Sequence, residues 1–220
     1  MSAYLNSRRL RLCGALAAVV ALLAGTAVTA EARGWWAPRP HEVRVMLPEG
    51  NSNPAIANGV AVGGEVATYT SSGLGPAERN PAAPAGSPER YTDPELTEGK
   101  DGVTITEAQA LVVLDAIVAN LAAAGVAPDD VVTMTCYLVA PPGTATADYA
   151  GWNRAYRQYF ANVDLETEEV LPVPMGTSEP APPLVPNDAR PARATLEIDS
   201  LAVPGWLVEV QVTATYPRHR

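Results

Sequence analysis

An arginine and a glutamate near the C-terminal end of this chain carry its plainest chemical potential. Arg193 and Glu209 stand on two successive segments with strand character, 193–202 and 206–216, joined by a Val203-Pro204-Gly205 turn. Arginine presents a planar fork of N–H donors that grips a carboxylate through two parallel hydrogen bonds, which suits a small organic acid better than a lysine would. A glutamate nearby can position or deprotonate a water. The same two residues can also neutralise each other in a simple salt bridge, and residue types alone leave both readings open.

The elements that must hold this pair follow from periodicity. Alternation in the last two strands predicts that Ala194, Leu196, Ile198, Val208, Val210 and Val212 face a helix-covered core. It puts Arg193, Thr195, Glu197, Glu209, Gln211 and Thr213 together on the other face. Upstream, Thr106 and Gln109 fit a capping box, Leu111, Leu114, Ile117 or Val118, and Leu121 recur at helical spacing, and Gly125 sits where a C-cap belongs. A strand follows over 131–139. A second helix is expected over 148–161, with Tyr149, Trp152, Tyr156 and Tyr159 or Phe160 as a core-facing stripe. Nearer the N-terminus, 60–69 reads as a strand leading into a turn, and 43–47 as an edge strand. Strand, helix, strand, helix, strand, strand predicts an α/β sandwich: one mixed sheet with two helices on a single face. The uncovered face is either solvated or packed against copies of itself.

Two stretches depart from this regularity. Residues 76–102 are rich in Pro, Gly, Ala and charge without periodicity, and residues 162–192 contain seven prolines that forbid a packed helix, so both are expected to be long loops. The first thirty residues read as a secretory signal peptide: Arg8, Arg9 and Arg11 precede the apolar run 15–27, and Val28-Thr29-Ala30 and Ala30-Glu31-Ala32 are Ala-x-Ala-like cleavage sites. The run is shorter than the roughly 20 residues a spanning helix needs. Cys13 precedes it, where lipoprotein processing cannot use it. An exported, periplasmic or secreted protein without stable membrane association is the expectation. Residues 31–50 form an N-terminal extension carrying Trp35-Trp36, and 51–217 the domain proper.

The chain carries 15 basic and 24 acidic residues, a net charge of −9. Cleavage after residue 30 removes three arginines and no acid, leaving 12 basic residues against 24 acidic ones and a net charge of −12. That balance disfavours nucleic acid and anionic membranes as partners, since both require a basic footprint. His41 and His219 lie near the chain ends, and the core offers no obvious acid-base pair. After cleavage Cys136 is the sole cysteine, expected as a buried structural thiol in its strand.

Four segments, in order, resemble the RidA (YjgF/UK114) family. Pro191-Ala192-Arg193-Ala194-Thr195 followed by 207–214 is similar to the family's paired C-terminal strands. The run 122–125 with Asp129-Asp130-Val131-Val132 resembles its "AAG…DDVVK.T.FL" segment. Tyr149, Asn153, Tyr156 and Phe160 resemble its "F…N..Y..yF" helix, and Val62-Gly63-Gly64 through Ser72-Gly73 its N-terminal "VGN..y.SG" hairpin. The resemblance implies a chorismate-mutase-like fold, a homotrimer with active sites between subunits, and no cofactor or metal.

It further implies hydrolysis of 2-imino acids to 2-keto acids and ammonia. Arg193 would hold the substrate carboxylate and Glu209 would position or activate water, with Ser72, Asn153 and Thr195 lining the cleft. Where relatives carry Pro-Tyr near the N-terminal hairpin, this chain has Pro54-Ala55-Ile56, so that aromatic hydroxyl is absent. A protonated imine carbon is already electrophilic, so orienting substrate and water supplies much of the acceleration. The alternative is a binding module that captures a carboxylate metabolite, such as a keto acid, on the same scaffold without turnover.

Overall fold

The computed structural model describes residues 37–217. The proposed signal peptide, Trp35-Trp36 and His219 lie outside the described residues.

Among the described residues are six strands and three α-helices: β1 (Val43–Met46), β2 (Gly59–Val62), β3 (Thr68–Thr70), α1 (Pro94–Thr97), α2 (Ile105–Ala124), β4 (Val131–Leu138), α3 (Tyr149–Arg157), β5 (Ala192–Glu197) and β6 (Val208–Thr215). Strands β3, β6, β4 and β5 make a four-stranded mixed sheet in that order, antiparallel except for the parallel β4–β5 pair at one edge. A separate antiparallel hairpin pairs β1 with β2.

The sequence predicts one strand over 60–69, and the chain splits it between the two sheets. The break is at Gly63, where any Cβ would collide with the backbone carbonyls of Arg39 and Pro40. Only glycine tolerates so close a backbone approach.

Helix α2 begins two residues earlier than its predicted cap. Thr104 is the N-cap, its hydroxyl accepting from the Glu107 amide at 3.1 Å. Thr106 and Gln109 are buried instead, because the Gln109 amide donates to the carbonyls of Pro88 and Gly205 and accepts from the Leu207 amide. That one side chain ties the first long loop and the β5–β6 connection to the helix. At the other end Gly125, at φ 79°, closes the helix as predicted. Helix α2 is long and apolar enough to cross a membrane by length and composition, yet Leu111, Leu114, Ile117 and Leu121 are buried against the sheet.

Helix α3 is capped by Asp148, whose carboxylate accepts from the Gly151 amide and from the Thr104 hydroxyl. The two helix starts are thereby linked. It ends at Arg157, earlier than predicted, because the following amides of Ala161 and Asn162 turn to the carbonyls of Ala189 and Asn187 in the second long loop. Trp152, Tyr156, Tyr159 and Phe160 are fully buried, as the core stripe predicts, while Tyr149 is 40% exposed. Together with Met134, Cys136, Val208, Val210 and Val212 they form one core between the two helices and a single sheet face. The predicted sandwich is therefore the fold.

Both long loops are pinned by polar side chains. In the first, which includes α1, Arg90 binds Glu78 and the carbonyls of Pro81 and Ala83. In the second, buried Asn162 bonds to the Arg157 and Val185 carbonyls, and buried Arg190 to those of Pro54, Asp188 and Val163. A fully buried Glu107 on α2 joins α3 to the second loop, taking Arg154 of α3 at 2.7 Å and the Gly176 amide at 2.9 Å.

Candidate functional site

Strand β5 is the sheet's edge next to β4, and register fixes which way its side chains point. Arg193 is paired with Met134 and Thr195 with Cys136, both core residues, so Arg193 and Thr195 face the helices. Glu209 is paired with Tyr137, on the opposite face. The expectation that Arg193, Thr195 and Glu209 share one uncovered face is therefore corrected. Ala194 and Leu196 take the open side, and Leu196 is 43% exposed. In β5 the alternation has the expected period and the opposite phase, while Val208, Val210 and Val212 of β6 face the core as expected. The most apolar side of β5 was assigned inward, whereas an aromatic platform on α3 draws the cation there.

That platform is the site's main feature. The Arg193 guanidinium lies 4.3 Å from the centroid of the Tyr156 ring and 5.9 Å from that of Trp152. Cation–π attraction of this kind strengthens as water is excluded. One guanidinium nitrogen donates to the Asn153 side-chain oxygen at 2.7 Å. The other two, Nε and Nη1, are shielded from solvent and donate to nothing. Arg193 makes no salt bridge among the described residues, which removes the reading in which Glu209 neutralises it. Nε–H and the Nη1 N–H groups point to different edges of the guanidinium, and on either edge a carboxylate oxygen would satisfy one of them while its second oxygen takes the remaining Nη2 N–H. The Thr195 hydroxyl, one step along the same face, is also buried, beside the Cys136 thiol.

Tyr156 is held from its far end. Its hydroxyl donates to the Ala55 carbonyl at 2.8 Å, so the segment that lacks the family's aromatic hydroxyl receives one from α3. Burial raises the Tyr156 phenol above its ordinary pKa, which keeps it a neutral donor. Burial likewise pushes the Cys136 thiol up to about 12, partly opposed by Arg193. Cys136 is thus the buried structural thiol expected of it.

The five candidate residues fall into two groups. Arg193, Asn153 and Thr195 converge beneath α3. Ser72 and Glu209 belong to the other side: a Cβ on Gly73 would collide with the Glu209 carboxylate, so Ser72-Gly73 lies directly beside it. Ser72 is exposed, while its neighbour Ser71 is buried and accepts from the Val212 amide at 3.0 Å. The β3–β6 junction therefore rests on Ser71. Sequence reasoning passed over Arg190, which anchors the loop immediately before Arg193. An arginine inside a proline-rich arm, three residues from a candidate arginine, was its only signal. Among the described residues no cluster of metal-ligating side chains occurs.

A family model described as endoribonuclease L-PSP matches residues 95–216. This span holds both helices and the three longest strands. The chain belongs to that family, also known as YjgF/Rid/UK114. Similar solved structures include a Rid-family protein of unknown function from Yersinia pestis, at 19% identity over 79% of this chain and 98% of that one, with a TM-score of 0.44. A YjgF-family protein from Neisseria meningitidis matches at 21% identity over 82% and 100%, TM-score 0.38. A YjgF/YER057c/UK114-family protein from Mycobacterium tuberculosis matches at 17% over 79% and 99%, TM-score 0.37. No curated protein matches the chain.

Proposed function

We propose that this Rid-family chain is an exported imine deaminase that hydrolyses 2-imino acids to 2-keto acids and ammonia, binding the substrate carboxylate through Arg193. The observation that carries this reading is that two shielded Arg193 nitrogens, Nε and Nη1, lack an acceptor while Asn153 holds the third. Water adds to the carbon of the protonated imine and loses a proton to a general base. The resulting carbinolamine expels ammonia, leaving the keto acid. Glu209 is the proposed base. Since it faces away from Arg193 within one chain, the proposal requires a homotrimer in which the open sheet face of one subunit supplies Glu209 and Ser72 to a cleft containing Arg193 of another.

The test adds purified protein to an amino-acid oxidase reaction containing semicarbazide, which traps free imine. Faster loss of trappable imine, absent in Arg193→Ala and in Glu209→Gln, supports the reading. An unchanged semicarbazone yield sinks it.

A second reading has its own support. Among the described residues no carboxylate or histidine is bonded to Arg193, which fits a module that binds a carboxylate metabolite without turnover. Keto-acid binding by a protein inert in the trapping assay selects it. Ribonuclease activity, suggested by the family model's name, is disfavoured by the acidic balance of 24 carboxylates against 15 basic side chains.

A further inference from the structure

Away from Arg193, where β4 begins and the second long loop returns, lies an acidic cleft of about 480 Å3. Asp129, Asp164, Glu168 and Asp188 line it, with Asn187 beside them. Asp164 is occupied, accepting from the amides of Glu166 and Thr167 and from the Asn53 side chain. The other three carboxylates form no salt bridge among the described residues. Nor do they converge closely enough to hold a metal ion, so the charges suit several separate cationic groups rather than one ion.

Asn187 adds an independent demand. It is 4% exposed, and its amide orientation is settled because the side-chain oxygen accepts from the Ala189 amide at 2.8 Å. Its Nδ2 donates to nothing. A buried donor left unpaired is unfavourable, and a ligand carbonyl in the cleft would satisfy it. A second cleft of about 390 Å3 shares Asp129, Leu165 and Asp188 with the first and continues along Val45 and Leu47 of the hairpin. Val45 and Leu47 are 44% and 37% exposed.

We propose that this joined groove binds an extended, lysine- or arginine-rich peptide segment. Its cationic ends would meet Asp129, Glu168 and Asp188, a main-chain carbonyl would accept from Asn187, and apolar side chains would lie along Leu165, Val45 and Leu47. A simple polyamine offers the charges and no acceptor for Asn187. The site stands apart from Arg193 and does not depend on the deaminase reading.

The test titrates the full chain into a fluorescein-labelled, end-blocked pentapeptide of alternating lysine and leucine, read by anisotropy. Saturable binding is expected, with none to the glutamate-leucine analogue. Asp129 and Asp188 are exposed, so an Asp129→Asn/Asp188→Asn double variant should fold normally and bind about tenfold more weakly. Asn187→Ser should also weaken binding, whereas Arg193→Ala should leave it unchanged. Absence of saturable binding, equal affinity in the double variant, or displacement by spermidine at equimolar concentration would overturn the proposal.

Discussion

The guanidinium of Arg193 rests over the ring of Tyr156 at 4.3 Å, and the hydroxyl of Tyr156 is itself fixed on the Ala55 carbonyl. A cation on the core side of an edge strand is thereby given a rigid apolar floor and a single in-plane partner, Asn153. What the floor cannot provide is an acceptor for the other two guanidinium nitrogens, Nε and Nη1. The proposed carboxylate-binding role rests on that deficit.

Separating the ring from the hydroxyl tests this arrangement. Tyr156→Phe keeps the platform and loses one hydrogen bond, and is expected to cost about 1 kcal/mol in urea unfolding with keto-acid binding largely retained. Tyr156→Ala removes a fully buried aromatic and should cost about 3–5 kcal/mol. If the phenylalanine variant binds keto acid as poorly as the alanine variant, the hydroxyl and not the ring is what matters.

Asn153→Asp should be more damaging to ligand binding than Asn153→Ala. The introduced carboxylate would sit 2.7 Å from an Arg193 nitrogen and neutralise the cation, so calorimetry should show pyruvate affinity falling by about tenfold or more, since charged hydrogen bonds contribute about 1.5–3 kcal/mol. Asn153→Ala frees a donor and should change affinity less. The opposite ranking would show that Arg193 is not the ligand's charge partner.

How much of this was legible in the sequence depends on the element. The period of β5 and β6, the aromatic stripe of α3 and the Gly125 cap follow from residue type and spacing, because each is a local preference. The phase of β5 was not legible. Ala194 and Leu196 look like core residues, and only the tertiary placement of Tyr156 and Trp152 over Arg193 reverses them. The same holds for the start of α2. Thr104 and Thr106 are both acceptable caps, and the choice falls to Thr104 because Gln109 is needed between two loops and Glu107 beneath Arg154. Arg190 lay hidden for a similar reason, since its partners are carbonyls far away in sequence.

Glu107 should prove a structural keystone. It is fully buried and its partner Arg154 is a quarter exposed, so Glu107→Gln leaves a cation and the Gly176 amide with a weaker acceptor. Breaking such a pair by removing one partner costs about 3–5 kcal/mol, readable as a lowered denaturation midpoint. A change below about 0.5 kcal/mol, the size expected of an ordinary surface substitution, would contradict this.

Alkaline pH offers a further check. The Cys136 thiol is raised from 9.0 to about 12 by burial, so the unfolded chain releases this proton before the folded one does. Stability should be unaffected by this group below pH 9 and decline as pH rises from 9 towards 12. Cys136→Ala should lessen the slope in that window. In native protein at pH 8 the thiol should resist alkylation until denaturant is added, and rapid labelling without denaturant would show that it is not buried.

The account turns on Arg193 as a carboxylate clamp, and a calorimetric titration of pyruvate into wild-type, Arg193→Lys and Arg193→Ala protein tests it most directly. Binding to wild type is predicted, weakened in the lysine variant, which keeps the charge without the fork, and absent in the alanine variant. Equal binding by all three, or none by wild type, would contradict it.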